Sequence, residues 1–368
     1  MKFPELDRDK LRILPLSDRK NKTRIEDDHV PVDAKPVALS EHGEKVMSGL
    51  IKKVQEARDA DKPVMIAFGA HSIKNGLALV LIDLMERGLI THLATNGAGI
   101  IHDWEFAFQG ESSEDVKNYV DEGQFGIWDE TGFNINLAIV VGAYEGKGYG
   151  ESVGAVIENE GVDIPTESFL KAQIKDLLES DPSAVAAAAD LLSVVHKFDL
   201  HAGFMEIPHP YKQYSAQAAA YRLSIPFTSH PMIGHDIIYN HPMNHGAAIG
   251  RTALTDFLRY AHNVSQLDGG VYMSIGSAVM SPMVFEKSLS MAQNLHLQNG
   301  DHIDNHYMVI VDLAESQWDW NNDGEPPIDN PAYYLRYCKT FSRMGGKMDY
   351  VCADNRDFLL HLSQGLVK

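Results

Sequence analysis

From residue 63 onward, short apolar runs alternate with longer segments whose apolar positions recur every three or four residues. The runs PVMIAF (63–68), ITHLAT (90–95), INLAIVV (135–141), IPFTS (225–229), VYMSI (271–275), YMVIVDLA (307–314) and MDYVCA (348–353) predict strands. Val46, Leu50 and Val54 predict a helix over 41–60. Leu77, Val80, Leu81 and Leu84 predict a second helix, ending at Gly88, and 184–197 reads as a third. Strands that are apolar on both faces and separated by helix-length segments imply an α/β protein with a doubly wound, largely parallel sheet covered on each side. Residues 1–40 are charged and broken by Pro4, Pro15, Pro31 and Pro36. They predict an extended N-terminal arm with too little apolar surface to pack on itself, lying over the surface or a neighbouring subunit, with residues 41–368 as one domain.

Composition narrows the class. The 368 residues carry a formal net charge of −19, and no Lys/Arg cluster beyond the first forty residues offers phosphates a basic surface, so no nucleic-acid partner is expected. Acidity serves solubility and also suits a cationic substrate. The apolar runs fall far short of the ~20 residues that span a bilayer, so no membrane association is expected. The N-terminal stretch has no apolar block and does not read as a signal peptide. Cys338 and Cys352 are the only cysteines, which excludes a disulfide framework and fits a reducing, cytoplasmic setting.

In doubly wound sheets, ligands bind outside the carboxyl ends of the strands, where strand order reverses. The residues at and after the predicted strand ends are therefore the candidate cofactor site: Gly69, His71 and Ser72; Thr95, Asn96, Gly97, Ala98 and Gly99; Gly276 and Ser277; Asp312; and Asp354. Small residues permit close backbone approach, amides can hold phosphates, and carboxylates can hold ribose hydroxyls. Gly97-Ala98-Gly99 follows a strand and opens a helix, but His102 stands where a dinucleotide fingerprint has its third glycine.

Other motifs point away from alternative chemistries. GAYEGKGYG (142–150) has the wrong spacing for a phosphate loop and reads as a mobile surface loop or lid. Asp319-x-Asn321-x-Asp323-Gly324 copies half a calcium loop but lacks its closing glutamate. His209, His230, His235, His241 and His245 crowd one stretch without a metal-ligand spacing, so hydrogen bonding is the expected role and no metal is assigned. No G-x-S-x-G elbow is present.

The stretch FGAHSIKNGLALVLIDLMERGLITHLATNGAGIIHDWE (68–105) resembles the first two nucleotide-binding units of the deoxyhypusine synthase superfamily, which includes an NAD-using ornithine cyclodeaminase-like domain. IPFTSHPMIGHDIIYNH (225–241), SIGSAVMSP (274–282), IVDLAES (310–316) and CADN (352–355) are similar to later segments in the same order, so the resemblance runs from about 41 to 366. It implies a Rossmann-like fold, NAD as cofactor, and Asp103 at the acidic helix start after the glycine turn. It also implies Asp236 in the position that accepts an amine, and a homo-oligomer, either dimer or tetramer. The family's imine-forming lysine falls on Met280 or Ser281, neither of which can form a Schiff base. The expectation is an NAD-dependent enzyme that oxidises an amine or amino acid to an imine, then deaminates it or transfers it, and is not a true deoxyhypusine synthase. His102 or His235 would take the proton and Asp236 would hold the ammonium. The alternative is a non-catalytic NAD or nucleotide sensor of the same fold.

Overall fold

The computed structural model describes residues 3–366; the outermost two residues of the predicted arm and of the predicted domain lie outside it. Ten strands form among the described residues: β1 Asn21–Arg24, β2 Val64–Phe68, β3 His92–Thr95, β4 Glu111–Glu114, β5 Gly161–Ile164, β6 Gly203–Glu206, β7 Phe227–Ser229, β8 Val271–Ile275, β9 Tyr307–Asp312 and β10 Lys347–Cys352. Six make one wholly parallel sheet in the order β10-β9-β8-β2-β3-β7. Read from the β7 edge and renumbered along the chain, this is the order 3-2-1-4-5-6 of dinucleotide-binding sheets, whose direction of growth reverses between β2 and β8.

The apolar strands are buried on both faces, and their alternation builds two cores. Val64, Ile66 and Phe68 of β2, with Val271, Met273 and Ile275 of β8, face the helices Glu41–Asp59, Ala78–Glu86 and Asn355–Gly365. Met65, Ala67 and Tyr272 face the opposite way, onto Tyr260 and Val264 of the helix Gly246–Ser265 and Phe285, Leu289 and Ala292 of the helix Met280–Gln298. Helices therefore cover both faces, and the doubly wound α/β architecture expected from the pattern is the one observed.

Between β3 and β7 the chain makes a large helical excursion that includes Gly97–Gln109, Asp129–Tyr144, Tyr149–Asn159, Pro182–Phe198 and Ala216–Arg222. Two expectations are corrected here. INLAIVV (135–141) is the middle of the helix Asp129–Tyr144, with every one of its residues buried. A helix enclosed on all sides is apolar all round, and its β-branched run imitates a strand. GAYEGKGYG (142–150) is a tight link between two packed helices, not a lid. Gly142 and Gly150 abut Ser152 and the Phe227 carbonyl so closely that a Cβ on either would come within 2.1 Å.

The N-terminal arm lies on its own chain, one of the two places expected for it, and buries more apolar surface there than its composition suggested. β1 pairs antiparallel with β4, and Leu16 and Ile25 join the main core at 1% exposure each. Arg19 is drawn in with them and forms a buried bidentate pair with Glu105, both bonds at 2.7 Å. A few apolar anchors and one paired charge supply what the arm's average composition concealed.

Candidate functional site

Strand register brings the predicted strand-end residues to one edge of the sheet. Phe68 lies opposite Ile275, Ile275 opposite Val311, and Thr95 opposite Ser229, so Gly69, Asn96, His230, Gly276 and Asp312 emerge side by side. At the reversal point the approach is closest: a Cβ on Gly69 would stand 2.1 Å from the carbonyl oxygen of Gly276. Gly276 itself has a φ of +56°, a region that disfavours side chains, and a Cβ there would meet the Asn355 amide nitrogen at 2.5 Å. Asn355 also donates to Ser72 Oγ at 3.3 Å, tying the end of β10 to the turn after β2. Ser277 Oγ accepts from the Ser281 amide in the first turn of the next helix.

The turn after β3 is equally constrained. The Asn96 side chain accepts from the Gly99 amide at 3.0 Å and starts the helix Gly97–Gln109 as its N-cap. Thr95 Oγ1 donates to the Phe68 carbonyl, and Gly99 passes over it with room for no side chain, since a Cβ would lie 2.3 Å from Thr95 Oγ1. Gly97 lies against Asp236 in the same way: its Cβ would stand 2.0 Å from Asp236 Oδ2. Ala98 occupies the second position of the helix between these two glycines. The carboxylate predicted to hold an amine is thus placed on the glycine turn predicted to hold a cofactor.

Asp236 Oδ2 is buried and has no hydrogen-bond partner, and the same holds for the hydroxyls of Tyr149, Tyr239 and Ser229. Desolvation pushes the Asp236 carboxyl up to about 6, with the neighbouring His235 acting in the opposite direction. Asp256, fully buried, accepts from the Ser229 and Gly150 amides, and its carboxyl is pushed up to about 7, chiefly by burial. Asp256, Tyr149, Tyr239 and Asn355 were missed in the sequence. They sit inside helices or 3₁₀ turns, or just past a strand end, where no local pattern separates them from structural residues.

Other predicted residues have structural duties. Asp103 is fully buried and accepts from Ser215 Oγ, from Gln217 Nε2 and from the Ala216 and Gln217 amides, capping the helix Ala216–Arg222. These four bonds give it a structural duty that the sequence did not predict. Asp354 caps the helix Asn355–Gly365 through the Arg356 amide, and Asp312 accepts from the next residue's amide. Both stand at the proper edge of the sheet, one strand apart from each other. His71 and His235 are exposed. His102 lies one and a half turns into its helix, with Nδ1 2.7 Å from Ser112 Oγ, and burial lowers its pKa to about 4.

The remaining histidines are dispersed. His209 packs edge-on against Trp104 and Phe108, His230 meets Thr228, His241 meets Asp129, and His245 caps the helix Gly246–Ser265. Among the described residues, no three His, Cys, Asp or Glu side chains are grouped to hold a metal. Asp319 closes a turn by accepting from the Asn321 and Asn322 amides. No described helix is long and apolar enough to cross a membrane.

No protein-family model matches the chain, and no curated protein matches it either. Solved structures give a weak likeness. The ternary complex of AgrE with ornithine and NAD+ is 16% identical with a TM-score of 0.45, covering 90% of this chain and 34% of that one. ArgZ, an arginine dihydrolase from the ornithine-ammonia cycle in cyanobacteria, is 15% identical with a TM-score of 0.41, covering 88% of this chain and 32% of that one. A conserved putative LOR/SDH protein from Methanococcus maripaludis S2 is 13% identical with a TM-score of 0.44, covering 97% and 76%. The chain spans about a third of the length of the AgrE and ArgZ chains.

At the strand-end crevice the chain departs from the usual dinucleotide fingerprint. The first turn carries one glycine, Gly69, and β3 ends in Thr95 and Asn96 where an acidic residue commonly holds the ribose. What it retains is close backbone approach at the reversal point, a capped helix N-terminus beside it, and a desolvated carboxyl over that N-terminus.

Proposed function

We propose that the chain is an NAD-dependent enzyme acting on an amine or amino acid. The observation that carries this reading is the meeting of Gly69 and Gly276 where the sheet order reverses, one strand away from an unpartnered buried carboxyl at Gly97. The Gly69 and Gly276 amides are taken by the Ile275 and Val311 carbonyls, so the amides that would meet a dinucleotide phosphate are those of the helix N-terminus at Gly97, and Ser72, Ser277 and Asn355 add polar side chains to the same cradle. Bound there, NAD supplies the acceptor for a hydride from the carbon that bears nitrogen.

The protein's own groups do the rest. Asp236, unpaired and desolvated, gains an ion pair when a primary ammonium enters, which draws its proton affinity back down. His102, neutral at pH 7, can accept the proton released as the amine becomes an imine, and His235 is the second acceptor beside Asp236. Met280 and Ser281 offer no primary amine, so water or an external nucleophile attacks the imine carbon and no lysine adduct forms. The working unit is a homo-oligomer, supported by the exposed apolar side chains Leu254, Leu258, Met283, Met291 and Leu295 on two adjacent helices.

The test is calorimetric titration with NAD, followed by a screen of amines that includes ornithine, read by the absorbance of reduced nicotinamide. Binding with turnover supports the enzyme. Binding with no turnover supports the sensor alternative, and no heat at millimolar NAD overturns both.

A further inference from the structure

The arm and the β4 strand meet under His102 in a chain of buried hydrogen bonds that no capping or core-filling need explains. Arg19 reaches Glu105 through both guanidinium nitrogens, Thr131 Oγ1 donates to Glu105 Oε1 at 3.0 Å, and Ser112 Oγ donates to Glu105 Oε2 at 2.6 Å. Arg19, Glu105, Ser112 and Thr131 are all at most 6% exposed. The far end of the chain is His102 Nδ1, 2.7 Å from Ser112 Oγ.

The direction of every hydrogen in this chain follows from charge. The paired Arg19 guanidinium and the surrounding donors hold Glu105 as a carboxylate, against the opposing effect of burial. A carboxylate only accepts, so the single Ser112 hydroxyl hydrogen points at Glu105. Ser112 Oγ then has only lone pairs to offer His102, and Nδ1 must carry the hydrogen. Burial keeps the ring neutral, with Glu105 raising its proton affinity while Lys74, Arg19 and His71 lower it. Nε2 is consequently the bare nitrogen. It has no partner among the described hydrogen bonds, and the charges of Lys74 and His71 on the helix Ala70–Lys74 act on the same ring.

We propose that Ser112 is a positioning residue: fixed by the Arg19–Glu105 pair, it holds His102 as the Nδ1–H tautomer and leaves Nε2 as the ring's proton acceptor. This rests on the reading of His102 as the base in the proposed oxidation. It assigns a role to the arm that the sequence did not suggest, because Arg19 sets the charge state from which the whole pattern follows. An isolated neutral imidazole favours the opposite tautomer, so the network reverses an intrinsic preference.

The experiment is long-range 1H–15N correlation of the imidazoles in the full-length, 15N-labelled protein at pH 7, with His102 assigned by the signals lost in His102→Gln. Wild-type protein should show protonated Nδ1 and bare Nε2. Ser112→Ala should shift the tautomer ratio about tenfold toward Nε2–H, the effect of one buried hydrogen bond, and Ser112→Thr should restore the wild-type pattern. A protonated Nε2 in wild type, or an unchanged ratio in Ser112→Ala, overturns the proposal. If Ser112→Ala does not fold, the wild-type tautomer and Ser112→Thr still decide it. No NAD or amine is needed for this measurement, so a failed NAD titration overturns the function reading without being confused with a failure here.

Discussion

Gly69 and Gly276 face each other across the point where the sheet reverses, and a Cβ on Gly69 would overlap the Gly276 carbonyl oxygen at 2.1 Å. β2 and β8 are paired up to Phe68 and Ile275, so neither backbone can retreat without breaking the ladder. Gly69→Ala is expected to destabilise the protein by about 1–3 kcal/mol, the cost of overpacking a rigid contact, and to weaken NAD binding at least as much. Thermal unfolding and NAD titration of the same variant check both.

Gly97→Val separates binding from stability in another way. Its side chain would push directly on Asp236, whose carboxyl is not hydrogen-bonded and lies in a segment with exposed neighbours at Met232, Ile233 and His235. Displacement of that segment should abolish amine binding and NAD binding together, while unfolding shifts less than for Gly69→Ala. Retained NAD affinity in Gly97→Val would remove this turn from the cofactor site.

Asp236 gives a signed pH dependence. Its folded-state pKa, about 6, lies above its unfolded value near 3.8, so the folded protein holds the extra proton between them. Stability from this group is present below the unfolded value and is lost as pH rises from about 4 through about 6. At pH 7 Asp236→Asn should therefore stabilise the ligand-free protein, by on the order of 2 kcal/mol, with no gain at pH 3. The same variant should lose amine-dependent thermal stabilisation. Denaturant titrations at both pH values measure the difference.

The Arg19–Glu105 pair predicts a penalty from the arm. Arg19→Met would leave Glu105 buried without its counter-charge, at a cost of about 3–5 kcal/mol. The folded-state pKa of Glu105 is depressed, so this pair's contribution is present above its unfolded pKa and lost as pH falls through the folded value. The difference between wild type and Arg19→Met should accordingly shrink in acid, as read by urea unfolding across that range.

Lys287 tests the absence of covalent chemistry. It is exposed on the outward side of the helix Met280–Gln298 and pairs with Glu286, while Met280 and Ser281 occupy the first turn nearer the crevice. Borohydride treatment in the presence of NAD and spermidine should leave the intact mass unchanged. An adduct mapped to Lys287 would restore aminobutyl transfer as the reaction.

Self-association is predicted through the exposed ridges of the helices Gly246–Ser265 and Met280–Gln298, which are held parallel at their C-terminal ends by His296 Nε2 bonded to the Ser265 carbonyl. Sedimentation at micromolar concentration should give a dimer or tetramer, and Leu258→Glu with Met291→Glu should yield a monomer.

The sequence by itself determined the sheet. All six of its strands coincide with runs such as VMIAF and VYMSI that read as strands, and such runs fit strands buried on both faces of a parallel sheet. It also determined which residues end those strands, because a glycine or a capping Asn after an apolar run marks the chain's exit. Tertiary structure decided the rest. INLAIVV reads as a strand until the helices around Asp129–Tyr144 enclose it, and the arm reads as solvated until Leu16, Ile25 and Arg19 find their places. The site divides the same way. Gly69, Gly97 and Gly276 were legible as turn glycines, but only the 3-2-1-4-5-6 order brings Gly69 to Gly276, and only the return of the chain after β7 lays Asp236 on Gly97. Hydrophobic periodicity reports how a segment meets the core. Contacts between segments far apart in the chain leave no period behind, and it is those contacts that set which carboxylate is desolvated and which nitrogen of His102 is bare.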